Sequence, residues 1–210
     1  MKAFGLTALV FFATSCATSG VKTGATNEDI IQKNPDEIEA CVRQMKAKLA
    51  GRFDWTWLER NPNTLDIHTG RHPMLARHEP ENGEFRLYGF EGERPTLRQT
   101  QIIEGNEIVY VFHEGHGKSV QDLTVITACH ERAGEFVVEE LGAFQWKHEG
   151  PCWEMKSVTE MTAQGLVSTH YVRPRGSEES WRWQASMVAT PVPGAASRSE
   201  TAERSAKSPH

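Results

Sequence analysis

His113-Glu114-Gly115-His116 is the segment of this chain that comes nearest to a metal-binding pattern. A helical zinc motif needs two His four apart on one face, with a Glu placed as base. Here the pair is three apart in a Gly-flanked turn, so a solvated hairpin is expected. His68 and His72 have the four-residue spacing, but Thr69-Gly70 breaks any helix between them. Cys129-His130-Glu131 offers a thiol beside an imidazole, yet neighbours on a strand point to opposite faces. The chain has no Gly-x-Ser-x-Gly elbow and no phosphate-cradling Gly loop followed by Lys. Neither a metal nor a cofactor is therefore expected.

Aromatic side chains form the other constellation. Trp55 and Trp57 share one face of a strand, as do Tyr88 with Phe90 and Tyr110 with Phe112, and Arg98 lies on the strand between the latter pairs. If these faces look inward, Tyr88, Phe90, Arg98 and Tyr110 line an aromatic cavity with a buried cation, suited to a flat or amphipathic acid. The same spacing also serves a barrel filled by its own aromatics. In that case Arg98 needs an internal carboxylate, for which Glu91, Glu107 and Glu139 are the candidates.

Positioning such faces requires a sheet, and the period of the sequence supplies one after a single helix. Asn34 is an N-cap ahead of Pro35, Asp36 and Glu37. Ile38, Cys41, Val42, Met45 and Leu49 then recur at helical steps, with Glu39, Arg43, Lys46 and Lys48 on other faces, up to Gly51. Beyond Gly51 the period becomes two. Strands are expected near 52–60, 65–69, 84–91, 95–103, 106–113, 122–129, 134–142, 144–148, 153–162, 165–173 and 179–188, separated by turn residues such as Glu104-Gly105-Asn106 and Gln164-Gly165. The last run alternates Trp181, Trp183, Ala185 and Met187 with polar residues, so one face is apolar and the other wet. Short antiparallel strands joined by hairpins make a sandwich or an up-and-down barrel, and closure removes the exposed edges of so long a meander, favouring an all-β up-and-down antiparallel barrel of about ten strands with one N-terminal helix.

The chain has 210 residues, 38 % of them hydrophobic, enough for one domain with appendages. Lys plus Arg number 23 against 28 Asp plus Glu, a net charge of −5 without a basic cluster, which argues against a nucleic-acid partner. Residues 1–15 read as an export signal: Met1-Lys2, an apolar run, then Ala13-Thr14-Ser15 before Cys16. This resembles the bacterial lipoprotein signal, in which the cysteine becomes the lipidated first residue; the family prefers Leu where Ala13 stands. Ala17 is not the Asp that resembles an inner-membrane retention signal. The expected organisation is a signal peptide over 1–15, a flexible tether over 16–33, the helix and barrel over 34–189, and a disordered tail over 190–210. The expected location is the bacterial cell envelope, anchored by lipid to the outer membrane and facing the periplasm. In that oxidising compartment two of the remaining cysteines can pair. Cys129 and Cys152 enclose 22 residues containing a strand and a turn, so they are the expected disulfide, and Cys41 is expected as a buried free thiol.

Several segments between Leu49 and Trp181, taken in order, resemble the T-type phycobiliprotein chromophore lyase family. They are Leu49-Ala50-Gly51-Arg52-Phe53, Ile67-His68 with Arg71-His72-Pro73, Phe85-Arg86-Leu87-Tyr88, and Arg98-Gln99 with Ile102. Cys129, Phe136 and Cys152 then resemble its paired-cysteine segment, and Ser157-Val158-Thr159-Glu160, Gly165-Leu166-Val167-Ser168 and Trp181 follow. Aligning on Tyr88 places Phe90 where the lyases carry Glu, and Glu91 where they carry Gln. The resemblance implies a calycin-like barrel and exported relatives. The functional expectation is a lipid-anchored envelope barrel that binds a small hydrophobic or amphipathic ligand, tetrapyrrole-like ones included, without catalysis. Its alternatives are lyase or chaperone-like handling of a bilin chromophore, and a structural lipoprotein with a filled barrel.

Overall fold

The computed structural model describes residues 34–79, 84–114, 118–144 and 151–193. The proposed signal segment, Cys16 and the tether lie outside the described residues, as do His116 and the tail from residue 194. Helix α1 spans Pro35–Lys48 and starts as its sequence dictates: the Asn34 side chain accepts a hydrogen bond from the Asp36 amide at 3.2 Å, Pro35 opens the first turn, and Lys46 and Lys48 sit in the last. Ten strands follow: β1 Gly51–Arg60, β2 Ile67–Glu79, β3 Glu84–Glu91, β4 Arg94–Glu104, β5 Glu107–Glu114, β6 Lys118–Arg132, β7 Glu135–Phe144, β8 Trp153–Thr162, β9 Gly165–Pro174 and β10 Arg182–Pro191.

Each strand pairs antiparallel with its sequence neighbours, and β10 returns to β1 through pairs such as Trp57 with Met187, so the sheet is a closed up-and-down barrel. Of the eleven runs expected, 134–142 corresponds to β7, which ends at Phe144, and 145–148 lie outside the described residues. The short run at 65–69 is instead the thirteen-residue β2. Three bulges, at Arg98 in β4, Thr127 in β6 and Gln184 in β10, add the local bending that closure requires.

Alternation divides each strand into an inner and an outer face. On β1, Phe53, Trp57 and Glu59 are buried, and on β3, Phe85, Leu87 and Gly89. Helix α1 covers the lower end, where the β4–β5, β6–β7 and β8–β9 turns lie. There Ile38, Val42 and Met45 join Phe53, Phe85, Ile103, Ile108, Ile126, Phe136 and Val138 in one core. The helix is also pinned by polar contacts. Arg43 Nη2 donates to the Ile103 carbonyl at 2.7 Å, and the Gly105 amide to Glu39 Oε2 at 2.5 Å. That amide, then Arg43, holds the Glu39 carboxyl below its ordinary range.

One disulfide joins Cys41 to Cys129, with an S–S distance of 2.00 Å and Cα atoms 6.2 Å apart. This corrects the expected pairing of Cys129 with Cys152 and the expected free thiol at Cys41. Cys129 lies toward the lower end of β6, facing the helix, whereas Cys152 immediately precedes β8 at the upper end. Lys46 corrects a second expectation: it is turned into the core, 7 % exposed, although the stripe placed it on another face.

Candidate functional site in the barrel interior

The four residues expected to line a cavity divide between the two faces. Tyr88 and Phe90 follow buried Leu87 and Gly89 out of phase and lie outside, under Arg77 at 5.3 Å and Arg52 at 5.1 Å from the respective ring centroids. Tyr110 points inward, its ring 6.4 Å from that of Phe112. Arg98 is the bulge residue of β4, since Leu87 pairs with Gln99 and Tyr88 with Leu97. Its side chain crosses the inner face of Gly89, where an added Cβ would stand 3.1 Å from Nε. From there Nη2 donates to Glu91 Oε1 at 3.0 Å, near the upper rim. Of the three carboxylates considered for Arg98, Glu91 is the partner; Glu139 instead pairs with Lys156 at 2.8 Å on the outer face.

Above the apolar floor the inner wall turns polar. Glu140 on β7 faces Ser157 on β8, which faces His170 on β9, all at inward positions. Glu140 Oε2 accepts from Tyr110 Oη at 2.7 Å and from Thr124 Oγ1 at 2.8 Å. Burial first, then the Glu140 charge, pushes the Tyr110 phenol well above its ordinary value, so it stays a donor. The His170 ring lies between two hydroxyls, Ser157 Oγ at 2.8 Å from Nδ1 and Ser168 Oγ at 3.1 Å from Nε2. Ser168 continues to Thr159 at 2.9 Å. Burial lowers His170 to about 4, so at neutral pH it is an uncharged link in a hydroxyl chain and a weak general base.

Buried side-chain atoms without a hydrogen-bond partner among the described residues gather toward the upper end: the donors Trp57 Nε1, Arg60 Nε and Trp153 Nε1, the acceptor Gln184 Oε1, and His72 Nε2, which donates or accepts by tautomer. Trp57 is seated against Gly70 of β2 so closely that a Cβ there would fall 2.5 Å from the ring. Trp153 packs with Val172 and Met155 in a second, upper apolar cluster. An indole N–H can only donate, and so can a guanidinium. The unmet capacity of this wall is therefore mostly for an acceptor.

Other sequence candidates do not assemble a reactive site. His68 and His72 both face inward, but four residues along a strand separate them by about 13 Å, too far to share an ion. His113 faces out and bonds Thr100 Oγ1 at 3.0 Å. Among the described residues no group of three His, Cys, Asp or Glu is placed to hold a metal. A recess of about 470 Å³ opens at the helix end between Lys48, Arg52, Gly134, Glu135 and Thr162, away from Arg98 and Tyr110. Periodicity missed Glu140, although it stands in register with buried Phe136 and Val138. A carboxylate on an inward phase was the available signal. No protein-family model matches the chain, and no curated protein does.

Proposed function

We propose that the upper half of the barrel binds a small amphipathic acid without catalysis, its apolar body against Trp57, Phe112 and Trp153 and its acid group drawn to Arg98. One observation carries this reading: buried donors on the inner wall lack acceptors, on the same wall that presents a guanidinium. A ligand bearing carboxylate or carbonyl oxygens meets that need, whereas a purely apolar one does not. Titrating the protein with biliverdin and with a long-chain fatty acid, followed by quenching of tryptophan emission, tests it. Arg98→Ala is expected to weaken binding by about 1–3 kcal/mol while leaving the melting temperature nearly unchanged. A large fall in melting temperature with no effect on ligand decides for a filled, structural barrel.

The proposed setting is the bacterial envelope, with the domain tethered through a lipid on Cys16; the lipoprotein-like N-terminal pattern supports this. Cys16→Ser is expected to move the protein from the membrane to the soluble fraction on cell fractionation, and unchanged processing and membrane retention would overturn the anchor. A second reading, bilin handling with lyase chemistry, draws on the order of family-like segments and on Glu91. That carboxylate is one position from the lyase Glu and reaches Arg98 at the rim. Preference for biliverdin over the fatty acid, followed by its transfer to an acceptor thiol, would favour that reading.

A further inference from the structure

Aliphatic side chains on the outside of the barrel gather on two walls. On the first, Ile102 pairs with Val109 and Val109 with Leu123, and one outward step lower Val125 pairs with Leu141. On the second, Val167 pairs with Val188, and Leu58 stands diagonally between Val188 and Ile67. Leu65 extends that second wall at the upper rim. Its backbone is held at a φ of 68° by an amide donating to the Asn61 carbonyl at 2.8 Å, so a strained residue presents its side chain to solvent. Apart from Val192, every large hydrophobic exposed among the described residues lies on one of these walls. In the ring of strands β5 and β6 stand opposite β10 and β1, so the walls face away from each other. Their margins differ in charge. Glu104 and Glu107 oppose each other across β4 and β5 beside Val125, a like-charge pair that costs the sheet stability. Arg60, paired with Ile67, lies over the Trp183 ring at 5.5 Å. None of these three belongs to an ion pair among the described residues, whereas Arg71 on the second wall is neutralised by Asp54.

We propose that the first wall of one copy docks on the second wall of another, so that the chain associates head to tail. Aliphatic rows then cover each other, and the Arg60 guanidinium of one copy meets the Glu104 and Glu107 carboxylates of the next. Those carboxylates lie at the helix end and Arg60 at the upper end, so they meet when the second copy is turned end for end. Two different patches on opposite walls leave one of each free after every addition. The series is therefore open. Curvature limits the contact to about three strands by three outward residues, roughly 300 Å² in projection against ~800 Å² per partner in a standard interface. Association is accordingly weak and depends on concentration. It is independent of the ligand reading, since both walls lie outside the barrel.

Sedimentation velocity of the unlipidated full chain, from about 10 µM to about 1 mM, tests the proposal. The average mass is expected to keep rising past that of a dimer. Leu123→Lys puts a cation on the first wall, opposite Arg60, and Ile67→Asp puts a carboxylate on the second, opposite Glu104 and Glu107. Each is expected to weaken self-association at least tenfold with the melt unchanged, because both side chains are exposed. Val125→Lys and Leu58→Asp replace them on the same walls if either lowers the melt. The deciding sample is an equal mixture of the two variants. One intact wall of each kind remains in it, so a species of twice the monomer mass and nothing larger is expected. If Ile67→Asp alone still dimerises, the first wall packs on its own copy and the head-to-tail contact is overturned. A monomer throughout the range for the unaltered chain overturns it as well, whether the walls then meet a membrane or a foreign protein.

Discussion

The two ends of this barrel are built from the same alternating strands and do opposite things. At the helix end, inward positions carry Phe, Ile, Val and Met around Ile38, Val42 and Met45, and a disulfide ties the plug to β6. Toward the other end they carry Arg98, Glu91, His72 and two tryptophans whose N–H groups find no acceptor. Burial alone does not separate them, because Trp57 and Trp153 are both 8 % exposed. What differs is where unpartnered polar atoms gather: among the described residues Gln101 Oε1 is the one nearer the helix end, and the others lie toward the upper end. The lower end spends its burial on stability, and the upper end holds back hydrogen-bonding capacity that a guest can use.

The comparison breaks most severely if the plug is cut loose. Cys41→Ser, read by chemical denaturation, is expected to cost on the order of 4–5 kcal/mol, since the bond closes a loop of 88 residues in sequence separation. Ligand contacts at the far rim should survive wherever the fold does. Acid comes next. His170 is held neutral down to about 4 in the folded protein but takes a proton near 6.5 when unfolded, so the unfolded state binds more protons between these values. Its contribution is complete above about pH 6.5 and is lost as the pH falls toward 4, by roughly 3 kcal/mol in all. Melts across that range should show the loss, and His170→Gln should flatten it. Smaller still is Gly70→Ala, whose methyl must displace the Trp57 ring. About 1–3 kcal/mol and an altered tryptophan emission are expected. Least costly to the fold is Arg98→Ala, because that side chain sits at the rim and its Glu91 partner is 61 % exposed.

How far the sequence foretells this arrangement follows from which interactions are local. The N-cap at Asn34, the turns and strands β3 and β8 depend on near neighbours, and the structure has them where the pattern puts them. Gly70 lies just past the expected run 65–69, yet it sits inside β2 and makes room for the Trp57 ring, a close approach that no local pattern announces. The disulfide was misjudged because spacing favours near cysteines, whereas closure sets Cys129 and Cys152 toward opposite ends and brings Cys41 over from 88 residues away. The site residues split on phase. The strand of Tyr88 and Phe90 is amphipathic in both registers, so only the pairing of Leu87 with Gln99 and Ala76 shows which face is inner. Arg98 reaches the interior through a bulge that no periodicity encodes.

The seam between β1 and β10 has a kinetic meaning. Residues 53 to 59 find their partners only at 185 to 191, so the first strand must wait, one edge unpaired, until the last has joined. Contacts of such sequence separation make folding slow and leave partly formed sheets open to pairing with other chains. A helix covalently fixed to β6 shortens that search, because it tethers the start of β1 to the middle of the meander before the ring is complete.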